Sequence, residues 1–245
     1  MSPANLRTAQ GNRLLAALPR VALERILSDV KLRPLEMRQV VQTRKKRVSE
    51  VIFPVSGVAS MISMGNTGES VEVATIGREG LVGLPLFLGG TAAAIEVFIQ
   101  VPGEGAYLSA AAFERHVARE PALQHTLLLY TQALLAQVAQ CSACNRHHSI
   151  VQRCARWLLQ THDRVRGNEF PLTHEFLGLM LGVRRASVTE TAAVLQDRDL
   201  IRYRRGRIIV LDRLGLEKAS CDCYRLISRE FDRLLPPPRK GMRPR

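Results

Sequence analysis

Between residues 11 and 30 the apolar positions Leu14, Leu15, Leu18, Leu23, Ile26 and Leu27 recur at helical intervals, and Pro19 interrupts them. Two short helices are predicted, because proline removes an interior hydrogen bond and clashes with the preceding turn. From Val40 to about Leu108 the pattern becomes short β-branched runs punctuated by glycine: VIFPVSGVASMIS, ESVEVATIG, AAIEVFIQV and GAYLS. These predict an antiparallel sandwich or roll, with no helix longer than about two turns. Helical period returns near residue 109 in SAAAFERHVARE, and Pro121 opens a long helix to about Arg146. Ser149 can cap the next helix, which ends near Gly167 and buries Cys154, Trp157 and Leu158.

Within the long helix Leu123, Leu127, Tyr130, Leu134, Cys141 and Cys144 follow steps close to three and four, with polar Gln137 between Leu134 and Cys141. The stripe matches a coiled-coil seam, and a helix between two domains has little else to cover it, so it is expected to pair two copies. The competing reading packs the same stripe on the helix's own domain.

The chain from Leu172 reads helix, glycine turn, helix, hairpin. Thr173 can cap the first helix, Leu177, Met180 and Leu181 form its buried side, and Gly182 supplies the positive φ of the turn. The second helix, from about Arg184 to Arg198, buries Val188, Ala192 and Leu195. That leaves Arg185, Ala186, Thr189 and Glu190 outward near its N-terminus, the end that touches base edges in a helix-turn-helix. Next, LIRYRRGRIIVLD is a hairpin with Arg204, Arg205 and Arg207 around Gly206, a basic wing suited to phosphate. A plain helical hairpin with solvated arginines is the alternative.

Charge decides between them. The net charge is +13, with an excess of +3 over residues 1–144 and +10 over residues 145–245, so the polyanion-facing part is the C-terminal one. With 245 residues, two domains are expected. No secretory signal is evident at the start, and Leu81–Val101 is a poor membrane span because Pro85, Gly89, Gly90 and Glu96 interrupt it. A cytoplasmic protein is expected. The five cysteines, all after residue 140, are expected to be reduced thiols. Catalytic signatures such as a nucleophile elbow, a Walker loop or His-Glu-x-x-His are absent from the sequence, so no enzyme is expected.

The stretch LTHEFLGLMLGVRRASVTETAAVLQDRDLIRYRRGRIIVLD resembles the winged helix-turn-helix of the Crp/Fnr superfamily of bacterial transcription regulators. VIFPVSGVASMIS, VEVATIGREGLVG and CNRHHSIVQRCARWLL extend the resemblance over roughly residues 30 to 225. The resemblance implies an α+β chain: a cyclic-nucleotide-binding-like antiparallel β-roll, a long dimerisation helix and a C-terminal winged helix-turn-helix. The expected boundaries are a helical lead-in over 1–30, an effector domain over 31–120, the dimerisation helix over 121–146, the DNA-binding domain over 147–220, and a helix with a basic tail over 221–245. Candidate DNA contacts are Thr173, Arg184, Arg185, Ala186, Ser187, Thr189, Glu190, Arg204, Arg205 and Arg207. Candidate dimer contacts are Leu123, Leu127, Tyr130, Leu134 and Cys141. The partners implied are double-stranded DNA with a near-palindromic operator, a second copy of the chain, and RNA polymerase.

Family members that bind cyclic nucleotides use a Gly-Glu pair for the ribose and, about ten residues on, an arginine for the phosphate. Here GREGLVGLPLFLGGTAAAIEVF has Leu84 where the glutamate belongs and no arginine near Thr91, so cyclic nucleotides are not expected to bind. A small ligand in an atypical pocket is the alternative. Oxygen-sensing relatives hold an iron-sulfur cluster with cysteines in the N-terminal region, and the resemblance does not extend to that mechanism, because no cysteine precedes Cys141. Cys141, Cys144 and His148 lie on one helical face with a spacing that can hold a metal and would make a metal or thiol sensor. Packing of the thiols as small apolar residues is preferred, so no metal or cofactor is expected, and Cys221 and Cys223 are assigned no role. Arg44, Lys45, Lys46 and Arg47 read as a solvated turn, and the terminal PPPRKGMRPR as a basic tail.

Overall fold

The computed structural model describes residues 9–65 and 70–236. In chain order they form α1 (Arg13–Ala16), α2 (Arg20–Leu27), β1 (Lys31–Leu35), β2 (Val40–Gln42), β3 (Glu50–Pro54), β4 (Val58–Met64), β5 (Ser70–Ile76), α3 (Leu84–Phe87), β6 (Glu96–Val101) and β7 (Gly103–Ser109). There follow α4 (Ala110–Arg119), α5 (Pro121–His147), α6 (Ile150–His162), β8 (Glu169–Pro171), α7 (His174–Leu181), α8 (Arg185–Asp197), β9 (Ile201–Arg204), β10 (Arg207–Val210), α9 (Arg213–Ala219) and α10 (Cys223–Leu234). Contacts divide the chain into two compact units. One holds the chain up to Ala59, Ile76–Leu135 and the stretch from Arg229; the other holds Ser60–Thr75 and Ala136–Ser228.

In the first unit Pro19 stands at the N-cap of α2, so the expected break between the lead-in helices falls there. Asn12 is fully buried, and its side chain uses its hydrogen-bonding capacity on both sides. Its carbonyl caps α1 by accepting from the N–H groups of Leu14 and Leu15, while its amide donates to the carbonyls of Pro54 and Gly80, each at 2.9 Å. Those four bonds offset a desolvation that would otherwise cost a few kcal/mol. They anchor the lead-in to β3 and the Gly80 segment. Strands β1, β7 and β3 form an antiparallel sheet in that order, with Tyr107 opposite both Lys31 and Ile52. Sequence reading starts the strands at Val40 and misses β1. The reason is Pro34, which argues against a strand interior but is tolerated on an edge, where β1 lies.

The membrane-length question resolves locally: Leu81–Val101 contains α3 and β6, not one span. Helix α5 is long and apolar enough to cross a membrane by length and composition. Its apolar stripe is already covered. Leu123 and Leu127 are 0% exposed, Tyr130 1%, Leu134 5% and Cys141 4% within a single chain, and the Tyr130 hydroxyl donates to the Leu81 carbonyl at 3.1 Å. The expected dimer seam therefore needs correcting, because a side chain buried against its own chain has no area left to offer a second copy. The exposed apolar side chains of α5 are Leu128 and Leu135, on the other face, with Ala139 and Ser142 continuing the row.

In the second unit Ser149 caps α6 and forms a reciprocal capping box with Gln152, satisfying two of the helix's otherwise orphan N–H groups. Cys154, Trp157, Leu158 and Leu159 are buried, as are Phe170, Leu177, Leu181, Val188, Ala192, Leu195, Ile201 and Ile208. Strands β8, β10 and β9 form an antiparallel sheet in that order. The greater part of β4 and β5, sheet neighbours, also belongs to this unit. The expected basic tail lies outside the described residues except Pro236.

Candidate nucleic-acid interface

Helix α7 begins at Thr173, whose hydroxyl accepts from the Phe176 N–H at 3.2 Å, the cap expected from the sequence. It ends at Gly182, with φ 62° and ψ 40°. A side chain there would be strained by that conformation, and its Cβ would come within 3.3 Å of Val71. Helix α8 then turns Val188, Thr191, Ala192 and Leu195 inward. Because these recur at steps of three and four, the opposite face is left to solvent: Arg184, Arg185, Ala186, Thr189 and Glu190 are exposed and Ser187 is half-buried. Glu190 has no ion-pair partner among the described residues, so its carboxylate is not committed to Arg184. Thr189 is committed. Its hydroxyl donates to the Arg185 carbonyl at 3.2 Å and lies 3.0 Å from His174 Nδ1.

His174, at the first position of α7, was not among the sequence candidates. It stacks on Tyr203 of β9 with ring centroids 4.1 Å apart, joining the first helix, the second helix and the hairpin. Burial, and then the Arg185 cation, lower its pKa from 6.5, so the ring is neutral near neutral pH. Twenty-nine residues separate it from Tyr203, and no local pattern announces such a pair.

The wing is a two-residue hairpin. Arg205 and Gly206 at its tip have φ 48° and 73°, matching the positive φ that tight hairpin turns demand at both central positions. The Leu172 N–H donates to the Gly206 carbonyl at 2.8 Å, holding the tip beside the start of α7. Arg204 and Arg205 are exposed. Arg207 departs from expectation: its guanidinium is paired with Glu169 across the β8–β10 ladder, which offsets its charge. Arg204 and Arg205 remain as the wing-tip cations with no ion-pair partner among the described residues.

The cysteines are also rearranged relative to expectation. Cys144 and His148 converge with Cys221 and Cys223, whereas Cys141 stands apart and accepts from Arg156 Nη1 at 3.4 Å. In the first unit, Leu84 starts the short α3, and the backbone of the 44–48 turn is hydrogen-bonded to the Thr91–Ala93 segment. The Val48 N–H donates to the Thr91 carbonyl at 3.0 Å and the Lys45 N–H to Ala93 at 2.7 Å. The side chains of Arg44, Lys45, Lys46 and Arg47 are exposed, as expected of a solvated turn.

Residues 152–219 match the family described as the Crp-like helix-turn-helix domain. No curated protein matches the chain. Among solved structures, FixK2 from Bradyrhizobium japonicum is similar, with 13% identity and a TM-score of 0.67 over 78% of this chain and 98% of that one. A putative Crp/Fnr-family transcriptional regulator from Eubacterium rectale matches with 15% identity and a TM-score of 0.66, covering 84% and 96%. The c-di-GMP responsive global regulator CLP from Xanthomonas campestris matches with 16% identity and a TM-score of 0.63, covering 79% and 100%. Residues 152–219 thus match a Crp-like helix-turn-helix domain, a DNA-binding module, and the chain has the fold of Crp/Fnr-family regulators.

Proposed function

We propose that the protein acts as a homodimer in the bacterial cytoplasm, placing two copies of α8 in successive major grooves of a near-palindromic operator. The observation that carries this reading is the exposed row at the start of α8, from Arg184 to Glu190, beside the basic tip of the wing. Two-fold symmetry in the protein calls for half-sites about 34 Å apart, one turn of DNA. Arg185 is positioned for a bidentate bond to guanine O6 and N7, Ala186 offers only apolar contact, and free Glu190 can accept from cytosine N4. Thr189, having spent its proton on the helix backbone, offers DNA its methyl group and one lone pair. The Thr173 hydroxyl and Ser187 flank this face and serve phosphate, as do Arg204 and Arg205.

For the second copy, α5 presents the row Leu128, Leu135, Ala139 and Ser142 rather than its buried stripe. The region 31–120 is the effector part, 121–146 the dimer helix and 147–220 the DNA-binding part. Cyclic nucleotides are not the signal, because Leu84 cannot bind a ribose hydroxyl. The protein performs no covalent chemistry, and contact with RNA polymerase follows from the family alone. Selection of bound sequences from a random DNA pool, followed by titration at two salt concentrations, tests the reading. An inverted-repeat consensus and a steep salt dependence are expected. Enrichment of no sequence over the starting pool would overturn it.

A further inference from the structure

Cys144 and His148, which the sequence places on one helical face, meet Cys221 and Cys223 in the second unit. Cys144 lies in the last turn of α5, His148 just beyond it, Cys221 before α10 and Cys223 at its first residue. One ligand atom from each lies within 4.8 Å of all the others. The sulfurs of Cys144 and Cys221 are 3.4 Å apart, and His148 Nδ1 is 3.5 Å from the Cys223 sulfur. All three thiols are buried, at 0%, 4% and 0% exposure.

From this geometry we propose that Cys144, His148, Cys221 and Cys223 bind one zinc ion in a closed tetrahedral site that fastens the start of α10 to the end of α5.

Zinc–sulfur bonds of about 2.3 Å draw a tetrahedron with edges of roughly 3.7 Å, close to the separations seen. A disulfide needs about 2.05 Å between sulfurs, far shorter than the Cys144–Cys221 distance. The space fits a single ion and is too small for several irons with bridging sulfides. Thiolate and imidazole together favour zinc over the oxygen-seeking cations, and four protein ligands leave no open position, so the site is structural rather than catalytic.

The surroundings have the features of a second shell. With Nδ1 turned to the thiols, His148 Nε2 faces the Asp222 carboxylate at 3.6 Å, the arrangement that fixes the tautomer of a metal-bound imidazole. Gln140 Nε2 donates to the Cys223 sulfur at 3.1 Å. Three thiolates and one zinc ion carry a net charge of −1, and the buried guanidinium groups of Arg153 and Arg156 both act electrostatically on Cys144 and Cys221. Packing of small apolar side chains explains buried sulfur but not an imidazole nitrogen aimed at it. On binding, each thiol releases its proton to solvent as its Zn–S bond forms, so uptake releases protons and weakens in acid.

Elemental analysis of the full chain, purified without chelators or metal-affinity columns, is expected to give about one zinc per chain. Exchange into cobalt(II) should give the intense visible and charge-transfer bands of a tetrahedral thiolate site. Cys221→Ser should lose both signals, and Cys154→Ala, which alters a buried thiol outside the cluster, should keep them. If Cys221→Ser does not fold, the wild-type spectrum and the protection of three thiols from an aromatic disulfide reagent decide the matter. Zinc below about a tenth of an equivalent after refolding with excess zinc, a Cys144–Cys221 disulfide by mass, or iron with acid-labile sulfide would each overturn the proposal.

Discussion

The imidazole of His174 stacks on the phenol ring of Tyr203, centroids 4.1 Å apart and planes 28° from parallel, while its Nδ1 meets the Thr189 hydroxyl. Because the Thr189 proton goes to the Arg185 carbonyl, Nδ1–H donates and Nε2 is left without a proton, buried and unpartnered. One neutral ring thus braces the wing against both helices that meet at Gly182.

Replacing His174 with alanine should lower stability by about 1 kcal/mol through loss of the stack and the hydrogen bond. Phenylalanine should restore part of it by restoring the stack alone. The pKa of His174 is lowered in the folded state, so as pH falls below 6.5 the unfolded chain takes up the proton first. Stability is full above that pH and declines below it. His174→Ala should reduce this decline in urea titrations; an unchanged acid limb would show that His174 does not cause it.

Leucines on the two faces of α5 should respond oppositely. Leu128→Glu with Leu135→Glu, both exposed, should yield folded monomers by sedimentation. Leu127→Ala, on the buried stripe, should cost about 2–5 kcal/mol of stability with the dimer retained. A dimer unaffected by the Leu128 and Leu135 changes would place the interface elsewhere.

Glu72 on β5 is 8% exposed, and burial raises its carboxyl to about 7 from 4.5 against the opposing pull of Ser60 and Arg156. The folded state therefore holds a proton that the unfolded chain gives up between pH 4.5 and about 7. Stability contributed by the neutral acid is present below that window and falls by about 3 kcal/mol across it. Glu72→Gln should flatten the fall, read by fluorescence of Trp157, the single tryptophan. An equal slope in wild type and variant would show that another group titrates.

Local patterns carried the lead-in helices, the capped α7, the Gly182 turn and the wing tip, because each is written in neighbouring residues. Periodicity on α5 shows which residues share a face but not what covers it, and the stripe from Leu123 to Cys141 is buried against its own chain. The Arg207–Glu169 pair, the His174–Tyr203 stack and the meeting of Cys144 with Cys221 join residues 29 to 77 positions apart. Only the folded chain brings them together.

Cyclic AMP and cyclic GMP should neither bind at micromolar concentration by calorimetry nor raise DNA affinity, since Leu84 offers no acceptor to a ribose. The exposed cations at 44–47 lie beside Thr91. They leave room for weak, salt-sensitive attraction of any phosphate, which would not distinguish the two nucleotides. Tight binding lost in Leu84→Ala would reverse this reading.

The arginines should separate by role. Arg185→Ala should cost about 1–3 kcal/mol on the preferred operator and relax selectivity at one base pair in each half-site. Arg205→Ala should weaken all sequences alike and reduce the salt slope by about one unit per lost phosphate contact. Arg207→Ala should reduce the salt slope by less, because its guanidinium is held by Glu169 rather than left free for a phosphate. Glu169→Gln should then strengthen binding modestly by releasing Arg207. Glu190→Gln should relax the preference at the position next to that read by Arg185, because an amide can donate where the carboxylate only accepts. Fluorescence anisotropy on the selected operator and its single-base variants, at two salt concentrations, measures all five. If Arg185→Ala lowers affinity equally for every sequence, that side chain holds phosphate, and α8 enters the groove rotated from the register assigned to it.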